Sequence, residues 1–197
     1  MRAPGRERFV TGLVLGAGGS RRLGRPKQLL PYRGGTLLGH VVVTARECAF
    51  GQLVVAIGGS SEEVRAGVDL TASDVVFNPD YGEGCSSSIA AALGVVDARC
   101  EVLVLMLGGQ PGVSAATVAA LLGGRGEAPF AICRYENGVG HPIAFARETF
   151  GDLEQLHGDR GVWRLLDARA GDVVEVAVRG PLPRDVDTAA DYEALLR

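Results

Sequence analysis

The sequence predicts a three-layer α/β/α domain on a mostly parallel sheet with a late β-hairpin, and three observations carry that prediction. Apolar runs of strand length, at Phe9, Val10, Leu13, Val14 and Leu15, at Leu53 to Ile57 and at Val102 to Leu107, suit strands buried on both faces of a parallel sheet. Helical stretches separate them, the alternation expected of a sheet covered on both sides. Asn137-Gly138 then joins two extended runs, a hairpin signal.

The chain has 197 residues and suits one domain, 1–197, with a full-sized core. Residues 1–8, polar and basic, read as a flexible tail with no secretory signal. A hydrophobic content of 47% and a mean hydropathy of +0.17 describe a folded, soluble protein. The longest apolar runs fall short of the roughly 18 residues of a membrane span. The 4 cysteines, Cys48, Cys85, Cys100 and Cys133, lack metal-ligand spacing, which argues against a zinc site or disulfide scaffold and suits a reducing cytoplasm. A net charge of −3 and a pI near 5.6 give no footprint for nucleic acid. Against that acidic background, Arg21, Arg22, Arg25 and Lys27 read as a dedicated anion site.

The first strand runs into Gly16, Gly18 and Gly19, a loop whose backbone N–H groups can approach an anion closely, with a triphosphate as the natural guest. A dinucleotide fingerprint is excluded because the third glycine position is Arg21. A P-loop is excluded because Lys27 stands between Pro26 and Gln28. Thr36 to Cys48 predicts a helix capped by Thr36, carrying Leu37, Leu38, Val41, Val42 and Ala45 on one stripe and His40 as a packing or surface residue. After the strand Leu53 to Ile57, Glu62 to Val68 predicts a short helix and Asp74 to Phe77 a brief strand. Asn78 to Ser88 is a turn-rich segment ahead of a helix from Ile89 to Val96. Its serines either cap that helix or present a helix N-terminus to a ligand.

Val102 to Leu107 is the most hydrophobic strand and is expected at the centre. Ser114 to Leu122 predicts a helix capped by Ser114, Gly123 to Gly126 a loop, and Phe130 to Arg134 a strand before the hairpin. His141 either contacts substrate or hydrogen-bonds within the hairpin. Asp159 is placed to cap the following helix, Arg160 and Arg164 are open to substrate contact, and Trp163 reads as core or interface packing. Val173 to Val178 is a strand. Asp185 and Asp187 alternate along an extended segment, so both can reach one cation; Asp187 and Thr188 are also candidate caps of the last helix.

Leu15, Ala17, Gly18, Ser20, Arg22, Leu23, Gly24, Lys27, Leu29, Leu30 and Pro31 resemble, in that register, the opening motif of the MobA/MocA-like nucleotidyltransferases of molybdenum-cofactor synthesis. Asn78-Pro79 through Ser88, Gly140-His141-Pro142, Gly158-Asp159 and Asp185-Val186-Asp187-Thr188 resemble later motifs in family order, so the likeness runs from Leu13 to Tyr192. The resemblance implies a Rossmann-like nucleotidyltransferase fold and transfer of a nucleoside monophosphate from an NTP to molybdopterin, with release of pyrophosphate. It implies that Lys27 and Arg22 are catalytic. Leu15, Ala17, Gly18, Gly19, Ser20, Asn78, Gly82, Gly84, Ser87 and Ser88 would bind nucleotide, and His141, Pro142, Asp159 and Arg160 the acceptor. Asp187, with Asp185 as its rival, would hold Mg2+, and a molybdoenzyme or its maturation factor would be a partner.

Two details refine the resemblance. Leu15-Gly16-Ala17-Gly18 stands nearer the Ala-Ala-Gly of relatives using CTP than the Ala-Gly-Gly of those using GTP. Gly109 replaces the aspartate that relatives use as a magnesium ligand. Three accounts are open: other carboxylates hold the metal, the triphosphate carries it, or the protein is a catalytically impaired nucleotide- or cofactor-binding protein.

Overall fold

The computed structural model describes residues 8–197. Residues 1–7 of the expected tail lie outside them. Arg8 departs from that expectation, because its guanidinium donates to Gly126 O at 2.9 Å and pairs with Glu127.

In chain order the elements are β1 (Val10–Gly16), the two-residue strands β2 (Pro31–Tyr32) and β3 (Gly35–Thr36), α1 (Leu37–Glu47), β4 (Gln52–Ile57), α2 (Ser61–Gly67), β5 (Asp74–Phe77), α3 (Cys85–Leu93), β6 (Val102–Leu107), α4 (Ala115–Arg125), β7 (Phe130–Tyr135), β8 (Gly138–Ala146), α5 (Phe150–Glu154), α6 (Gly161–Ala168), β9 (Val173–Ala177) and α7 (Ala189–Leu195). Seven strands form one sheet in the order β5-β4-β1-β6-β8-β7-β9, and only β8 runs against its neighbours.

Alternation along the strands divides the core. Val14, Val55 and Val104 face α1, α2 and α4, together with Leu38, Val41, Val64 and Leu121. Leu13, Val54 and Leu105 face α3, α5 and α6, with Ile89, Leu153, Val162 and Leu166. This is the expected three-layer fold. A smaller cluster of Leu30, Tyr32, Leu37 and Val186 closes over the end of the sheet, with Tyr192 and Leu195 of α7 against it.

Register explains where the loops gather. Gly16 pairs with Ile57, Leu15 with Leu107, and Ile57 with Phe77, so four parallel strands end level. Antiparallel β8 pairs Ile143 with Leu105, which brings His141 to the same edge. Ligands bind at this carboxyl edge in open α/β sheets.

Four boundaries differ from expectation. The helix expected at Ile89 begins at Cys85, because Gly84 (φ 102) turns the chain sharply there and Asp159 Oδ1 accepts the Cys85 N–H at 3.1 Å; it ends at Leu93, short of Val96. Asp159 therefore caps α3 and not α6, whose N-cap residue is Arg160 with no side-chain cap bond. The loop expected at Gly123 to Gly126 is helix as far as Arg125. Gly124 lets α4 lie against β9, since a Cβ there would meet Val176 Cγ1 at 2.6 Å. The hairpin turn falls on Glu136-Asn137, with Tyr135 opposite Gly138, one residue before the expected Asn-Gly pair.

Thr36 and Ser114 cap α1 and α4 as expected, accepting from Gly39 N and Thr117 N, each at 3.1 Å. At α7 the cap is Thr188, in a reciprocal box with Asp191. Asp187 adds its backbone N–H to Asp191 Oδ2 at 3.2 Å, but its carboxylate does not cap the helix and pairs with Lys27 and Arg22.

Candidate nucleotide site

Two adjoining cavities of about 380 and 240 Å³ open at the carboxyl edge of the sheet. Gly18, Arg22, Lys27, Gly84, Asp159 and Asp187 line both. Leu15, Ala17, Ser88, His141 and Asp185 line the larger, and Gly19, Ser20 and Gly82 the smaller. Asn78, Ser87, Pro142 and Arg160 lie outside both walls. Asn78 is buried: its amide donates to Ser87 Oγ at 2.9 Å and Ser88 Oγ at 2.8 Å, and its Oδ1 accepts from Asp80 N at 2.9 Å, so it organises the serine turn. Pro142 is buried behind His141 in β8, and Arg160 is exposed.

The glycine loop is held from behind by a residue that sequence reading passed over. Gln28 is 2% exposed, and its Nε2 donates to Gly16 O at 2.7 Å and Gly18 O at 2.8 Å. Ser20 takes a left-handed φ of 50, and its Oγ accepts the Lys27 N–H at 2.9 Å. With those carbonyls turned to Gln28, the consecutive N–H groups of Gly18 to Arg22 find no acceptor among the described residues. These five residues line the smaller cavity with Lys27. A row of free backbone donors beside fixed cations binds anions. Nothing local in Lys27-Gln28-Leu29-Leu30 marks this role, which depends on the side chain turning back onto the loop.

Asp185 and Asp187 flank Val186, which is fully buried, so both carboxylates emerge on one side as their alternation implied. Lys27 Nζ donates to Asp187 Oδ1 at 2.9 Å and to Asp185 Oδ1 at 3.4 Å, and Arg22 pairs with Asp187 Oδ2 at 2.8 Å. Burial pushes the Asp185 carboxyl above its ordinary range despite Lys27. Burial also opposes ionisation of Asp187, but Lys27 and Arg22 together outweigh it and hold that carboxyl below the ordinary range.

Among the described residues no three His, Cys, Asp or Glu side chains are arranged around a common metal position. The donor set is the carboxylate pair. Mg2+ commonly takes one or two carboxylates and completes its shell with water and substrate phosphate, so this pair fits an ion that arrives on a triphosphate.

The larger cavity also has an apolar wall. Leu105, Leu107, Val162 and Trp163 form it with His141. His141 is buried, its ring makes no hydrogen bond within the described residues, and it meets Trp163 edge-on at 5.9 Å. Burial lowers its pKa to about 4, so it is a neutral imidazole at physiological pH. Trp163, expected in packing, thus doubles as wall. Tyr81, its ring against the loop at Gly19 and Gly58, is a further wall residue that sequence reading left out of the site.

A doubly covered parallel sheet, a glycine loop with free N–H groups at its carboxyl edge, and lysine and arginine beside paired carboxylates define a nucleotide-binding α/β domain. The sequence model of the MobA-like NTP transferase domain matches residues 12–173, and the chain belongs to that family. Solved structures agree over the whole fold. A Mycobacterium tuberculosis Rv0371c homolog from Mycobacterium sp. strain JC1 is 51% identical, with a TM-score of 0.92 and 96% of each chain covered. Rv0371c of M. tuberculosis H37Rv, solved in complex with manganese, is 45% identical, with a TM-score of 0.87 and coverage of 95% of this chain and 98% of that one. Nicotine blue oxidoreductase of Paenarthrobacter nicotinovorans is 38% identical over 114 residues, 57% of this chain and 55% of that protein's length. No helix among the described residues is long and apolar enough to cross a membrane.

Proposed function

We propose that the protein transfers the nucleoside monophosphate of an NTP, CTP in preference to GTP, to the phosphate of molybdopterin. A phosphate oxygen of the acceptor attacks the α-phosphorus, the bond from that phosphorus to the bridging oxygen of the β-phosphate breaks, and pyrophosphate leaves with the electron pair. The single observation that carries this reading is the run Gly18 to Arg22, whose N–H groups find no acceptor among the described residues, in the wall of a cavity that Lys27 also lines. In this account the loop and Arg22 hold the β- and γ-phosphates and the departing pyrophosphate. Lys27 faces the α-phosphate, where charge develops in the transition state. Asp187 and Asp185 would hold Mg2+, which supplies charge neutralisation when bound.

The apolar wall of the larger cavity, with neutral His141, supports an acceptor with a neutral, planar ring system. His141 offers it hydrogen bonds without a charge, and Trp163 and Leu107 offer apolar surface. Delivery of the product to a molybdoenzyme or its maturation factor, in the cytoplasm, follows from this reading. Pyrophosphate release from CTP, GTP and ATP with molybdopterin tests it. The expected result is molybdopterin-dependent release, fastest with CTP; no release with any nucleotide, or release driven by a sugar 1-phosphate instead, contradicts it.

A second reading rests on Gly109, which offers no metal-binding side chain. On that reading the protein binds nucleotide or molybdenum cofactor without efficient turnover. Tight nucleotide binding with no chemistry in the same assay favours it.

A further inference from the structure

We propose that Tyr81 is a further substrate-contacting residue, whose phenol hydroxyl donates a hydrogen bond to the outer phosphates of the bound triphosphate. This inference rests on the nucleotidyl-transfer reading above and adds a hydroxyl donor to the backbone N–H groups and cations already described. Tyr81 is half-buried and lines both cavities. Its hydroxyl has no hydrogen-bond partner among the described residues. A tyrosine with a packed ring normally finds a partner for its O–H, and here the cavity is where that partner would come from.

The direction of the ring follows from what holds it. Asn78 N donates to Ile57 O at 2.8 Å, which ties the turn before Tyr81 to the end of β4, and Asn78 Oδ1 accepts from Asp80 N at 2.9 Å. Tyr81 then opens a 3-10 turn, Tyr81–Glu83. Its Cβ, which cannot move without the backbone, stands against Gly58: a carbon added to Gly58 would lie 2.6 Å from it and 2.8 Å from Ala17 O. Farther out, Tyr81 Cε2 would lie 3.1 Å from a Cβ on Gly59 and 3.2 Å from one on Gly19. The side chain therefore runs from the end of β4 toward the glycine loop, and the phenol end of the ring lies at that loop. Gly59 N donates to Ala17 O at 3.1 Å, so the two walls of this slot are bonded to each other. Gly19, Ser20 and Arg21 line the smaller cavity and not the larger, and on the reading above this is the β- and γ-phosphate end of the site.

The test is calorimetric titration of the parent and Tyr81→Phe with inorganic tripolyphosphate, beside urea unfolding of both proteins. The substitution keeps the ring in its slot and removes only the hydroxyl oxygen. Tyr81→Phe should raise the Kd for tripolyphosphate by about tenfold, the scale of one hydrogen bond to a charged acceptor, with an unfolding midpoint equal to the parent's. Parental tripolyphosphate affinity in Tyr81→Phe overturns the proposal. So does a loss of affinity that comes with a lowered midpoint, because the hydroxyl would then be serving the fold. The two levels of inference separate in the same experiment. Tripolyphosphate binding by the parent beside an indifferent Tyr81→Phe rejects this assignment only, whereas no binding by the parent rejects the phosphate site and the assignment with it.

Discussion

Lys27 Nζ lies 2.9 Å from Asp187 Oδ1, so the ammonium that the reaction would place against the α-phosphate is oriented by a carboxylate 160 positions away. Arg22 shares that carboxylate. Lys27→Ala should therefore lower kcat by about 10²-fold or more, the usual scale for losing a preorganised charge at the reacting group, while the Kd for the nucleotide changes by less than about fivefold. Steady-state kinetics beside calorimetric Kd values check this. Equal losses in kcat and affinity would remove the transition-state role.

Gln28 controls the loop without facing the ligand. Gln28→Glu keeps the shape but turns an acceptor toward Gly16 O and Gly18 O, so the loop must rearrange and its N–H groups lose their aim. Leaving buried carbonyls unsatisfied costs about 1–3 kcal/mol each. The expected outcome is a folded protein whose affinity for CTP falls by about tenfold or more. A folded Gln28→Glu variant with parental affinity would mean that the loop does not depend on this residue.

His141 carries a pH dependence whose sign is fixed. Its folded pKa, about 4, is below the ordinary 6.5, so between those values the unfolded state binds the additional proton. Stability is full above about pH 6.5 and falls as pH drops toward 4, by on the order of 3 kcal/mol for this group. Urea unfolding at pH 4.5 and 7 should show the parent losing more stability on acidification than His141→Gln does. Identical losses in the two proteins would place the imidazole in a solvated, unshifted environment.

Asp159 links two distant parts of the cavity wall through its bond to Cys85 N. Asp159→Ala removes a helix cap and should cost about 1 kcal/mol, and Asp159→Asn, whose side-chain oxygen still accepts, should recover most of it. Denaturant midpoints at constant m-value read this out. No loss in the alanine variant would make the contact incidental.

Much of this arrangement was legible because it depends on local rules. The unbroken apolar runs set the parallel core, Thr36 and Ser114 marked helix starts, and the spacing of Asp185 and Asp187 put both on one face with Val186 buried between them. What was missed depends on contacts distant in sequence. No local pattern says that Asp159 caps a helix 74 residues earlier, that α4 continues through Gly123-Gly124 because β9 comes close, or that the amide of Gln28 turns back onto the loop before it. Gly109 was read from sequence as a missing ligand. In three dimensions its vacant Cβ position is where Asp185 and Lys27 meet.

The central claim, that this edge of the sheet is a site for a metal-bound nucleoside triphosphate, is tested most directly by calorimetric titration with CTP, GTP and ATP, each with and without Mg2+. The account predicts one-to-one binding that Mg2+ strengthens, with CTP tightest and all binding reduced in Gln28→Glu. Binding indifferent to Mg2+ and to the base, or no binding of any triphosphate, would contradict it.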